Sequence, residues 1–352
     1  MFLFVAVQSL QEGIRNATEV TATDRTLVVY RENRYCPATS RLPEHYAERI
    51  SRIDGVTAVV PIKVVVNNCA TSLDVVTFRG IPSETVSLLA PNWHMLAGSM
   101  DDWQKRSDAA LVGENLASRR GFKVGQTFNS AGVSVTVAGI FRSSEAQDQN
   151  AAYVHLPFLQ QVAAKAGIGI VTQFNVRVSD PTRLEEIAAN IDADFRTEAE
   201  PTQTRTEKAF VAQAGSDIVE IIAFTRYLGL GCLSAVLGLV ANAIVLGVQD
   251  RIKEHAVLQT LGFRSGLIAR LIIAEGMLMG VLGGGLGTFL AVSMVSWGNF
   301  SISNEGQSVP ISASPAMFAI GFLMSAGVGV AAGLVPAWRA SRREIAHCFR
   351  AI

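Results

Sequence analysis

Three long apolar stretches, at residues 226–248, 267–297 and 315–338, constrain this 352-residue chain more than anything else in it. A helix needs roughly 20 apolar residues to cross a hydrocarbon layer about 30 Å thick, and each stretch is long enough. Lipid offers a backbone no hydrogen bonds, so such stretches fold as helices that satisfy their own polar groups. The mean hydropathy is +0.30 and 49% of residues are hydrophobic, with the excess concentrated after residue 226. A polar first part is therefore joined to a membrane part.

The basic residues orient the spans. Arg251, Lys253, Arg264 and Arg270 flank the first connection, and Arg339, Arg342, Arg343 and Arg350 crowd the C-terminus. The connection at 298–314 has no Lys or Arg. Basic residues are retained on the cytoplasmic side. That rule predicts a cytoplasmic segment at 249–266, a cytoplasmic basic tail at 339–352 and a short outer loop at 298–314. Residues 11–225 then lie outside the membrane too.

The cytoplasmic segment has a shape of its own. From Arg251 to Leu261 there is no Pro or Gly, and the run stops at Gly262, which accepts the left-handed conformation that closes a helix. Ser265 is placed to cap the helix that follows. Ile252, Ala256, Val257 and Leu261 fall near one face, with Arg251, Lys253, Glu254 and His255 elsewhere, so a short amphipathic helix is predicted. Within the spans, Gly276, Gly280 and Gly284 are spaced by four, as are Gly283 and Gly287, and Ser325, Gly329 and Gly333. Small residues at this spacing let helix backbones approach closely where lipid supplies no hydrophobic drive. Tight packing, within the chain or against a second copy, is expected over a roomy channel. Glu275, about two turns into its run, is expected to snorkel to the interface.

The charged residues with Glu254, Leu258 and Leu261-Gly262, then Glu275 and the glycines through Gly287, resemble the permease signature of FtsX/MacB-like ABC transporters. The run Val335-Pro336-Ala337-Trp338-Arg339-Ala340-Ser341-Arg342 resembles that family's C-terminal boundary. Ala110-Leu111-Val112-Gly113-Glu114-Asn115-Leu116-Ala117 extends the likeness into the outer part. The resemblance implies an α-helical membrane domain of four spans with a large α+β extracytoplasmic domain between spans 1 and 2, in a bacterial inner membrane. It implies that Arg251, Lys253, Glu254, Leu258, Leu261 and Gly262 couple to a separate ABC ATPase subunit, which alone binds ATP and Mg. A second permease copy (identical or paralogous), a periplasmic adaptor and membrane lipid are the other expected partners. The implied function is export or extraction of a substrate by mechanical transmission. The alternative is a signalling permease that regulates an envelope hydrolase.

In this chain only the end of a first span is expected. Residues 1–10 are apolar and turn polar at Gln11-Glu12-Gly13; ten helical residues rise only about 15 Å, half the hydrocarbon thickness. They read as the outer end of a span whose beginning is missing, with a buried N-terminal segment as the alternative. Residues 11–203 read as the α+β domain, with β-branched runs at 27–30, 56–66, 74–78, 133–141 and 174–178 and helical spacing at 43–53 and 181–191. Residues 204–225 carry helical spacing without a break before the first span, predicting a stalk helix. Cys36 and Cys69 lie in the outer domain; an oxidising compartment allows a disulfide there, worth about 3–4 kcal/mol, and two unrelated thiols are the alternative.

Chemistry is hard to find. GxxxxGK[ST], HExxH and GxSxG are all missing from the sequence, so no Walker loop, zinc-protease or hydrolase signature is present. The five histidines are scattered and read as core or solvated side chains, and no metal site is expected. A net charge of +0 argues against a nucleic-acid partner, which demands a basic face. The chain is not expected to be an enzyme.

Overall fold

The computed structural model describes residues 1–18, 25–34, 36, 39–67, 75–89, 93–163, 167–214, 216–298, 300–304, 307–311 and 314–341. The chain divides into two compact units. A membrane unit comprises Met1–Glu12, Glu220–Asn299 and the chain from Ile311 onward; an outer unit comprises Gly13–Val219 and Phe300–Pro310.

After α1 (Phe2–Thr18), the outer unit runs through β1 (Thr26–Arg31), β2 (Leu42–Pro43), α2 (Tyr46–Ser51), β3 (Val56–Val66), β4 (Thr77–Ile81) and α3 (Val86–Leu89). It continues with β5 (His94–Gly98), α4 (Met100–Lys105), β6 (Ala109–Gly113), α5 (Glu114–Arg120), β7 (Thr127–Ser130) and β8 (Val133–Arg142). Then come α6 (Ala146–Gln149), β9 (Ala151–His155), α7 (Leu156–Val162), β10 (Ile170–Val171), β11 (Gln173–Val178), α8 (Leu184–Asp194), β12 (Thr202–Thr206) and α9 (Glu207–Ala214). Ten strands form one sheet in the order β12-β1-β11-β3-β4-β9-β6-β8-β5, with β7 paired to β8. The pairs β4–β9 and β6–β8 are parallel and the others antiparallel. This is the mixed α+β domain expected from the β-branched runs.

Alternation along β3 divides its side chains between the two faces of the sheet. Val60, Ile62 and Val64 join Trp93, Trp103, Phe141 and Tyr153 on one face, while Val59 packs with the cluster of α2 and α8 and Val65 with that of Phe78, Val112 and Leu159. Trp103 is fully buried, stacks on His155 at 4.0 Å and donates its indole N–H to the Tyr153 carbonyl at 3.1 Å. His155 is thus a core histidine, its other polar contacts being Ser83 Oγ and the Trp103 carbonyl. Gly113 closes β6 where a Cβ would strike the backbone of Asp148 and Gln149, which is why only glycine fits between β6 and α5. Lys63 is an exception to good pairing. It is 3% exposed and its Nζ has no hydrogen-bond partner among the described residues. Burial, and then the charge of Arg41, lower its ammonium below the usual range.

The stalk reading needs correction at its start. Residues 204–206 belong to β12, which pairs with β1, and α9 packs back on the sheet through Phe210 against Tyr30 at 4.8 Å. The physical reason is the alternating threonines. Asp192 of α8 accepts hydrogen bonds from the Thr202 and Thr204 hydroxyls and the Thr204 N–H, which fixes the strand. Burial raises the Asp192 carboxyl despite these three bonds.

In the membrane unit, α10 (Ser216–Asp250) is followed by α11 (Ile252–Thr260), α12 (Ser265–Met279) and α13 (Gly285–Gly298), the last two joined through a π-helical turn at Gly280–Gly284. A hairpin of β13 (Ser301–Asn304) and β14 (Gln307–Pro310) precedes α14 (Pro315–Ser341). The hairpin belongs to the outer unit, where β14 lies against α6. Tyr227–Asp250, Ser265–Gly298 and Pro315–Ala340 are long and apolar enough to cross a membrane, with hydropathies of 2.2, 1.8 and 2.1. Pro336 sits inside α14 and does not end it. Residues 1–12 pack with these helices: Val5 is buried beside Gly321, and Ser9 Oγ donates to Met317 Sδ at 3.4 Å.

Candidate coupling segment and helix-packing site

Backbone chemistry builds the candidate coupling segment. α10 ends at Asp250, and the Arg251 N–H still reaches the Gly247 carbonyl at 3.2 Å before the chain turns into α11. At the other end Gly262 has φ +93°, the left-handed value that a side chain would strain. The Gly262 N–H donates to the Gln259 carbonyl at 3.0 Å and the Phe263 N–H to the Leu258 carbonyl at 3.1 Å. These two bonds form a Schellman closure, which satisfies carbonyls that the helix end would leave bare. Ser265 does not cap α12. Arg264 holds the N-cap position, without a side-chain bond, and Ser265 is already the first helical residue.

The segment presents a mixed surface. Arg251 and Glu254 are exposed, as are the apolar Val257 (50%), Leu261 (70%) and Phe263 (46%). Leu258 is half-buried. Lys253 lies in the first turn of α11, and its side chain is outside those described. Glu275 meets a partner that sequence separation concealed: Arg251 Nη1 stands 3.6 Å from its Oε1. This ion pair links the end of α10 to α12.

The predicted glycines come together unevenly. A Cβ on Gly276 would lie 2.6 Å from the Gly329 carbonyl oxygen, and one on Gly280 would lie 2.5 Å from that of Ser325. Gly284 faces the Ser325 side chain, Gly329 the Gly276 carbonyl, and Gly333 the Ile273 backbone at 3.2 Å. Gly276, Gly280, Gly284, Gly329 and Gly333 therefore form one seam between α12, the π turn and α14. Gly287 instead lies near Met1 and Phe2 at ordinary contact distance, and Gly283 faces open space. Ile244, Ile268, Ile272, Ala332 and Ala337 form the apolar core beside the seam.

For the remaining sequence-derived sites, Cys69 lies outside the described residues, so its pairing with Cys36 has no structural counterpart here. Most of the basic tail, from residue 342, is also outside them. Among the described residues no group of three or more His, Cys, Asp or Glu side chains is placed to hold a metal ion.

Comparison with known proteins follows the same division. Residues 1–194 match the family model of the MacB-like periplasmic core domain, and residues 227–345 match that of the FtsX-like permease C-terminal region. A macrolide export ATP-binding/permease protein MacB from Hyphomonas neptunium (strain ATCC 15444) is 28% identical over 274 residues, covering 73% of this chain and 41% of the relative. The MacB protein of Rhodopseudomonas palustris (strain HaA2) is 25% identical, covering 64% of this chain and 35% of the relative. The chain thus spans about two fifths or less of the length of these relatives. Among solved structures, the extracellular domain of the noncanonic ABC-type transporter YknZ from Gram-positive bacteria aligns at TM-score 0.37 and 16% identity, covering 51% of this chain and 99% of that one. The periplasmic region of MacB from Actinobacillus actinomycetemcomitans aligns at 0.37 and 12%, covering 55% and 92%. With one family model covering 194 of 352 residues and a second covering most of the rest, the chain belongs to the FtsX/MacB-like ABC transporter permeases.

Proposed function

We propose that this permease couples ATP hydrolysis by a separate ATPase subunit to movement of its outer unit, for export or extraction of a substrate. The supporting observation is α11 with its closing turn, a rigidly capped element between two apolar helices that exposes Val257, Leu261 and Phe263 beside Arg251 and Glu254. Exposed apolar side chains rimmed by charge mark a surface meant for a protein partner. The basic residues around 249–266 support a cytoplasmic position for this element and a periplasmic one for the outer unit of an inner-membrane protein. ATP and Mg belong to the ATPase, whose closure pushes on α11. A second permease copy and a periplasmic adaptor complete the assembly, and export follows the relatives named as macrolide exporters.

The test is co-purification of the full chain with its ATPase. Glu254→Arg combined with Leu261→Asp is expected to weaken association at least tenfold, about 1.4 kcal/mol. The outer unit should keep its protease resistance. Arg251 is spared because its removal would also strand Glu275. Unchanged association sinks the assignment of this segment.

A further inference from the structure

The outer unit contains a cavity of about 210 Å³ on one face of its sheet. Its floor is the alternating set Ala58, Val60 and Ile62 of β3, and Leu88 and Leu89 of α3 also line it. Charge of both signs stands at each end. At one end Arg79 of β4 faces Tyr153 of β9 in register, with Asp148 and Glu145 alongside. At the other, Arg177 of β11 faces Thr26 of β1, and Glu207 follows β12, which also pairs with β1.

The first end is a built wall. Asp148 accepts from the Tyr153 hydroxyl at 2.5 Å through Oδ1, and from Trp93 Nε1 at 2.9 Å and Ser143 Oγ at 3.0 Å through Oδ2. Burial, then the charge of Asp148, raises the Tyr153 hydroxyl well above its ordinary range, so it remains a neutral donor. Arg79 is 3% exposed and its guanidinium lies 6.0 Å from the Tyr153 ring centre. A guanidinium kept that far from water is costly unless its surroundings answer its charge. Arg177 is held at the rim, donating to the Leu88 carbonyl at 3.0 Å. Arg79, Glu145 and Glu207 each have further partners within the protein, so a ligand would join an existing network.

The lining selects by elimination. Three carboxylates reject a simple anion, two guanidiniums reject a simple cation, and the apolar floor favours hydrocarbon between charged ends. At about 210 Å³ the cavity is smaller than the usual drug-sized site. We propose that this cavity binds a short apolar peptide with free termini, of dipeptide size, its carboxylate toward Arg79 and its ammonium toward Glu207. Glu207 opens α9, which leads toward α10, and Asp148 and Gln147 belong to α6, against which β14 lies. An occupant therefore touches elements on both chain paths that lead to the apolar helices.

Calorimetric titration of the full chain with the dipeptide Leu-Leu, its N-acetyl form and its C-terminal amide tests this. Saturable binding by Leu-Leu is expected, with each blocked form weaker by roughly tenfold or more. Glu207→Gln should erase the penalty for acetylation while keeping the penalty for amidation. Ala58→Phe, which fills the floor from a half-buried position, should abolish binding without changing the melting transition. Absence of saturable binding at millimolar peptide, equal binding of all three forms, or undiminished binding to the Ala58 variant each overturns the proposal.

Discussion

The two units solve packing by opposite means. In the outer unit the closest-packed objects are rings: Trp103 on His155, Trp93 on Phe141 at 4.1 Å, Tyr46 on Phe195 at 4.4 Å. In the membrane unit the closest approaches involve bare backbone, Gly276 on Gly329 and Gly280 on Ser325, while Leu239 (71%) and Trp297 (94%) point outward. Water drives apolar side chains inward, so the outer unit gains from every ring it hides. Lipid removes that drive, and helices adhere through dispersion at short range, for which small residues are the means. The same residue type therefore means different things in the two halves of this chain.

The sharpest way to break the comparison is to truncate a ring. Trp103→Ala should destabilise the outer unit by about 3–5 kcal/mol, read from hydrogen exchange of β6 and β9, and leave exchange in α12 and α14 unchanged. In the membrane unit the damaging change is an addition. Gly280→Val should cost about 1–3 kcal/mol or more through overpacking against Ser325, seen as lost protease resistance in detergent. Gly283→Val should be silent, because that position is open; equal sensitivity at both would refute the seam.

A gain is expected where the outer unit breaks its own rule. Lys63→Met replaces a buried ammonium and should stabilise by about 1–3 kcal/mol. The sign with pH is definite. A lysine lowered in the folded state releases its proton first on folding, so wild-type stability rises with pH between that lowered value and the usual 10.5. The variant should lose that alkaline rise. Smallest of all, a double-mutant cycle on Arg251 and Glu275 should give about 0.2–1 kcal/mol, as for other exposed pairs.

What could be read in advance follows the same physics. β1, β3, β8 and β11 were legible because Val, Ile and Tyr mark strands. β6 (AALVG) and β9 (AAYVH) were not, since alanine carries no strand signal and their burial comes from neighbours distant in sequence. β12 (TQTRT) was absorbed into a helical period, and only Asp192 on α8 shows why it is a strand. Gly262 as a helix terminator was legible because one residue type performs that task. Arg251–Glu275 was not, because an ion pair across two helices leaves no spacing rule to detect.

The π turn at Gly280–Gly284 has one further consequence. Residues facing the neighbouring helices recur in fours: Ile268, Ile272, Gly276, Gly280, Gly284, Thr288. In an ordinary helix each four-residue step overshoots by about 40°, so a six-member row would wind around to the opposite side. A locally wider coil takes up part of that overshoot, and residues from Ile268 to Thr288 keep meeting α14. A side chain's bearing beyond Gly284 therefore cannot be found by counting from Ser265 with a uniform pitch.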